Sequence, residues 1–166
     1  MTGTVLRRVC LPVIVASLVM VLLPGCTGRR HQDRFKWREI VASVIAAKQT
    51  RGVPVYLDVV RVMPFEWEKF YMFPPYTPID DIEKALGFKW RAAKKTRIDE
   101  RDDITLLVFV IGRTVQDYIE HPRAAGDFSR LRPGYAYPPR EGYFECVEEK
   151  QDGRSVFYFV EAKREP

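Results

Sequence analysis

Apolar and polar positions split the chain into two unlike parts. Residues 9–23 are nearly all apolar, Arg7 and Arg8 precede them, and no further charge occurs before Arg29. From Arg38 onward, apolar residues recur with the periods of helices and strands. In 38–51 (REIVASVIAAKQTR), Ile40, Val44 and Ala47 share one face, with Val41 and Ile45 beside it. That spacing predicts a helix, with Gly52 as its stop and Pro54 barring its continuation. Residues 53–63 (VPVYLDVVRVM) are β-branched and apolar and read as a strand. In 65–73 (FEWEKFYMF), Phe65, Trp67, Lys69 and Tyr71 alternate with Glu66, Glu68, Phe70 and Met72. That period of two predicts a second strand with one mostly aromatic face.

Thr77 is a capping residue type, Pro78 suits a first helical position, and Asp80 and Asp81 suit the positive first turn. Ile79, Ile82 and Leu86 form an apolar stripe that Gly87 ends, so 78–86 reads as a short helix. Residues 88–103 are charge-dense and read as solvated, anchored by Trp90. ITLLVFVI, 104–111, reads as a buried strand from its unbroken apolar run. Gly112-Arg113 suits a tight hairpin turn, and 114–120 the half-exposed returning strand, ended by His121-Pro122. Residues 122–142 carry four prolines and three glycines and read as a long loop with room for one helical turn. Residues 142–149 and 154–162 read as two strands around the turn KQDGR. This order leaves few parallel crossovers. It predicts an α+β domain, an antiparallel sheet of about six strands with two helices packed on one face.

The apolar leader decides the compartment. A positive start before a 7–15-residue apolar run describes a secretory signal, whereas a membrane span needs about 20 apolar residues. Pro12, Pro24 and Gly25 interrupt the uncharged stretch, which ends at Gly28. Leu23-Pro24-Gly25-Cys26 resembles the lipobox of bacterial lipoproteins: an aliphatic residue, two mostly small residues, then cysteine. Pro24 departs from the usual pattern. The resemblance implies cleavage between Gly25 and Cys26, a thioether diacylglycerol on Cys26, and acylation of the new amino terminus. It gives a signal peptide at 1–25, a basic tether at 26–37 and one α+β domain at 38–166. The competing reading is an uncleaved single-span anchor. Arg29, Arg30, Arg34, Lys36 and Arg38 outnumber Arg7 and Arg8, and positive flanks stay cytoplasmic.

Charge follows the same division. Residues 39–166 hold 20 basic and 21 acidic residues, so the basic excess of the whole chain belongs to the leader and tether. That argues against a nucleic-acid-binding domain. A basic tether beside a lipidated cysteine suits an anionic membrane surface. With Cys10 in the leader and Cys26 lipidated, Cys146 has no disulfide partner and reads as a buried core thiol.

Catalytic chemistry is sparse. His31 lies in the tether and His121 before a proline, so no paired-histidine metal site forms in the domain and no metal or cofactor is expected. His121 reads as a strand-end cap or surface residue. Ser43, Ser129 and Ser155 lack a nucleophile-elbow context. Glu66, Glu68, Asp80 and Asp81 lie near aromatic residues, which leaves open an envelope hydrolase using a carboxylate pair. Two aromatic-proline stretches offer recognition instead. In YMFPPYTP, 71–78, the prolines leave Tyr76 projecting from a stiff turn, although the stretch reads first as a connector from strand to helix. In LRPGYAYPPREGY, 131–143, Arg132, Tyr135, Tyr137 and Arg140 combine residue types that dominate binding hot spots. The alternative for this loop is a cover over the sheet, with its tyrosine rings as core.

Trp67-Glu68, Pro75-Tyr76-Thr77, Ile82, Leu86-Gly87 and Trp90 together resemble a group of small bacterial envelope lipoproteins. That resemblance implies a lipid-anchored envelope domain and carries over no catalytic residue. Thr27 after Cys26 is not the aspartate that signals inner-membrane retention, so the lipobox resemblance favours the outer membrane, facing the periplasm. The expected function is a non-catalytic binding module with an envelope protein as partner.

Overall fold

The computed structural model describes residues 27–164, with side chains from Lys36 onward. The leader, the Gly25–Cys26 cleavage point and the lipidation of Cys26 lie outside these residues. Helix α1 spans Thr27–Arg51, so helical backbone begins well before Arg38. Trp37, assigned to the tether from sequence, is fully buried in the core.

Six strands follow, and the domain is α+β: β1 Val55–Asp58, β2 Lys69–Phe73, β3 Ile104–Ile111, β4 Thr114–Pro122, β5 Tyr143–Gln151 and β6 Arg154–Glu161. They form two antiparallel sheets of three, ordered β1-β5-β6 and β2-β3-β4, rather than the single sheet expected. The division begins at Asp58. Its side chain accepts from Val60 N at 3.1 Å and caps a one-turn helix, α2 (Val59–Val62). The apolar run 53–63 is therefore a four-residue strand followed by a helical turn. The chain leaves one sheet there and enters the other at Lys69. Pairing of β1 with β5, through Val55↔Cys146 and Leu57↔Phe144, closes the first sheet far along the chain.

The β2-β3-β4 sheet is buried on both faces, which explains the unbroken apolar run of β3. Phe70, Met72, Leu107, Phe109 and Ile119 face Trp37 and Val41 of α1 and Leu57, Phe144, Cys146 and Phe159 of the other sheet. Tyr71, Phe73, Leu106, Val108 and Val110 face helix α3 (Ile79–Leu86) through Ile82 and Leu86. The two long helices therefore pack on opposite faces of this sheet, not on one face. Residues 88–103 are better anchored than their charge implies. Trp90, Ala93 and Ile98 are buried beneath two 3-10 turns, 91–95 and 98–100. The two hairpins form where expected, the second through Asp152-Gly153, both at positive φ.

His121 corrects its sequence reading. It is neither a cap nor exposed, but fully buried between β4 and α1. Pro122 ends β4 without harm because β4 is an edge strand. Cys146 is buried as expected.

Candidate binding groove

The two aromatic-proline stretches meet. Phe73, Pro74, Pro75, Tyr76, Thr77 and Pro78 form one wall of a groove of about 630 Å³. Asp81, Lys84 and Ala85 of α3 also line it, as do Pro133 and Gly134 from the long loop. The loop is pinned there by its backbone. Gly134 N donates to Met72 O, and Tyr137 pairs with Phe70 through both backbone bonds, each at 2.9 Å.

Tyr76 dominates the mouth. Its side chain is 59% exposed, the most exposed of the large apolar or aromatic side chains among the described residues. Its φ is +60°, a left-handed conformation that costs a bulky residue about 1–2 kcal/mol. Two carbonyls hold the turn in that state. Tyr76 N donates to Ile98 O at 2.8 Å and to Arg101 O at 3.2 Å. The hydroxyl of Thr77 goes to Pro74 O at 2.6 Å, tightening the same turn, so it does not cap α3. Backbone bonds thus present an aromatic ring to solvent instead of folding it under.

The other expected surface residues divide. Arg140 projects into solvent, with its guanidinium 3.5 Å from Glu141. Tyr137 is fully buried and belongs to the core, so the loop acts as a cover at that point. Its hydroxyl accepts from Arg132 N at 2.7 Å and donates to Glu161. Arg132 lies 3.4 Å over the Tyr135 ring and donates from Nε to Glu161 at 2.7 Å. Tyr135 donates to Glu141 at 3.0 Å. Burial by itself would raise Glu161, but hydrogen bonds from Arg132 and Tyr137 outweigh it and hold the carboxylate below its ordinary range. Arg132, Tyr135 and Tyr137 therefore satisfy one another and clamp the loop to β6. Pro133 and Gly134, on the groove's loop side, were legible only as part of the long loop 122–142. Their meeting with α3 was not.

The acidic candidates do not converge. Glu66 and Glu68 line a second groove, of about 640 Å³, with Phe65, Trp67 and Pro139. They come from one irregular segment just before β2, two residues apart, so the strand expected over 65–73 is regular only from Lys69. Glu68 accepts Gly112 N at 2.8 Å, a turn-bracing contact. Asp80 and Asp81 sit on α3, in the first turn of that helix. Among the described residues no group of three or more His, Cys, Asp or Glu side chains is placed to hold a metal ion. No helix among them is long and apolar enough to cross a membrane.

No protein-family model, curated protein or solved structure matches the chain.

Proposed function

We propose that the chain is a lipid-anchored envelope protein whose domain is a non-catalytic binding module, with the Tyr76 groove as its recognition site. The observation that carries the site is Tyr76, an aromatic ring kept exposed at positive φ by two backbone hydrogen bonds. Strained residues over-determined by their surroundings concentrate at binding sites. Proline and aromatic rings make the groove suited to an extended, apolar segment of an envelope protein partner. Anchoring rests on the resemblance of Leu23–Cys26 to a lipobox, and the outer membrane facing the periplasm rests on Thr27.

Two measurements test the two halves. The intact mass of membrane-extracted protein should lack residues 1–25 and carry acyl mass, and Cys26→Ser should abolish both. A full-length, unmodified chain would replace the lipid anchor with a retained span. For the groove, a photocrosslinking residue at position 76 should capture one envelope protein in cells. The same probe at Val53, exposed elsewhere, should not. Equal capture at both positions would reject the groove as the site.

A further inference from the structure

His121, on β4, ties the distant helix α1 to the loop that follows its own strand. Trp37 Nε1, on α1, donates to His121 Nδ1 at 3.2 Å, across 84 residues. His121 Nε2 lies 2.9 Å from Gly126 O, a carbonyl that only accepts. These partners set the tautomer, with the proton on Nε2 and the lone pair on Nδ1. The residue after Gly126 ties the loop to β6. Asp127 N donates to Phe157 O at 2.8 Å, and Phe159 N donates to Asp127 O at 2.9 Å. Helix α1, strand β4 and the 123–128 loop thus meet at one neutral imidazole, and the backbone of Asp127 carries that loop on to β6.

The packing around this ring is close. A Cβ on Gly126 would stand 2.9 Å from Phe159 Cε2, 3.2 Å from Ile45 Cδ1 and 3.3 Å from Val41 Cγ1. Trp37 and Phe128 meet the imidazole edge-on, with centroids at 6.1 and 5.1 Å. A second proton has one place to go, Nδ1. It would turn an acceptor into a donor facing the indole N–H, and neither group could then accept from the other.

The surroundings offer little relief. Arg38, on α1, opposes a positive charge at His121, and Asp127, on the loop, favours it. The Asp127 carboxylate is already engaged by Arg123 at 2.9 Å and Ser129 N at 2.7 Å. Thr105 stands opposite His121 on β3 and is uncharged.

We propose that His121 is an acid-sensitive latch: its protonation releases α1, held through Trp37, from β4 and the 123–128 loop. The β2-β3-β4 sheet stays folded, because backbone ladders hold it and not this ring. Burial pushes the imidazole down to about 4, from an ordinary value of 6.5. The folded state therefore holds fewer protons than the unfolded state between those values. Docking of α1 is complete above about pH 6.5 and is lost as pH falls toward 4. The latch stands whether or not Cys26 carries lipid.

Hydrogen exchange of the full chain in detergent, followed by mass spectrometry and corrected for intrinsic rates, tests this. Protection of 37–48 should fall roughly a hundredfold between pH 6.5 and pH 4, while that of 104–111 holds. Equal loss in both segments would mean global acid unfolding, and loss in neither would mean no latch; either overturns the proposal. His121→Gln supplies one acceptor and one donor without a titration, and should keep α1 protected at both pH values. Should that variant fail to fold, nitrogen-15 shifts of His121 in the wild type decide. Titration together with loss of α1 protection supports the latch, and titration near 6.5 with α1 still protected overturns it.

Discussion

The Tyr137 hydroxyl donates to the Glu161 carboxylate across 24 residues, joining the long loop to the last strand. The same oxygen accepts Arg132 N at 2.7 Å. Tyr137→Phe keeps the ring but strands the backbone N–H of Arg132 and takes one donor from Glu161, which keeps Arg132 Nε. Leaving buried polar groups unpaired costs about 1–3 kcal/mol. The expected loss is about 2 kcal/mol, read from the midpoint of urea unfolding at pH 7 with an unchanged slope. A loss below a few tenths would mean that water replaces the hydroxyl and that the clamp is not structural.

Alkaline pH should reveal the same contact. Burial first, then the hydrogen bond to Glu161, raises the Tyr137 phenol above its ordinary value. The folded state therefore keeps a proton that the unfolded state gives up near pH 10. Stability is fully present below that value and falls as pH rises past it. Burial raises Tyr71 in the same direction, so it adds to the wild-type slope. The difference between wild type and Tyr137→Phe isolates Tyr137, and the variant should lose less stability between pH 9 and pH 11. Parallel profiles would assign the whole alkaline limb to other groups.

Local chemistry was readable in the sequence, and pairing was not. The stripe of Ile79, Ile82 and Leu86 with Gly87 marks α3 within one residue of its ends, because capping and periodicity are decided by neighbours in the chain. The run 104–111 gives β3 with both its bounds. The partner of β1 is β5, about 90 residues away, and an alternating pattern carries no label for the strand beside it. That is why six strands were foreseen and their division into two sheets was not. His121 misled for a related reason. A lone histidine before a proline looks peripheral until Trp37 is placed against it, and that contact spans most of the domain. In the groove, Tyr76 was legible because two prolines before it stiffen the turn. Tyr135 and Tyr137 were indistinguishable from it by composition, and only the Phe70–Tyr137 bridge turns Tyr137 inward.

Cys146 should be inert while the domain is folded. It is fully buried on β5, and desolvation pushes its thiol up to about 11. At pH 8 that leaves on the order of a hundredfold fewer thiolates than an ordinary cysteine, before steric exclusion is counted. Iodoacetamide labelling, read on the peptide that contains Cys146, should be slow in buffer and fast in urea. Rapid labelling without denaturant would show that the strand opens locally, and would remove Cys146 from the static core.

Tyr76→Gly separates strain from recognition. The positive φ at this position favours glycine, so the substitution should stabilise the turn by about 1 kcal/mol. Because the ring is mostly exposed, its removal gives up little burial that would offset the gain. If the ring is the recognition element, the same variant should lose capture by a crosslinker placed at Lys84, which lines the groove. A protein that is more stable yet no longer captures its partner would show that stability is given up at Tyr76 for binding. A variant that is destabilised would mean that the ring packs in solution and the turn is structural. A variant that is stabilised and still captures would move recognition away from the groove mouth, toward α3 or Pro133.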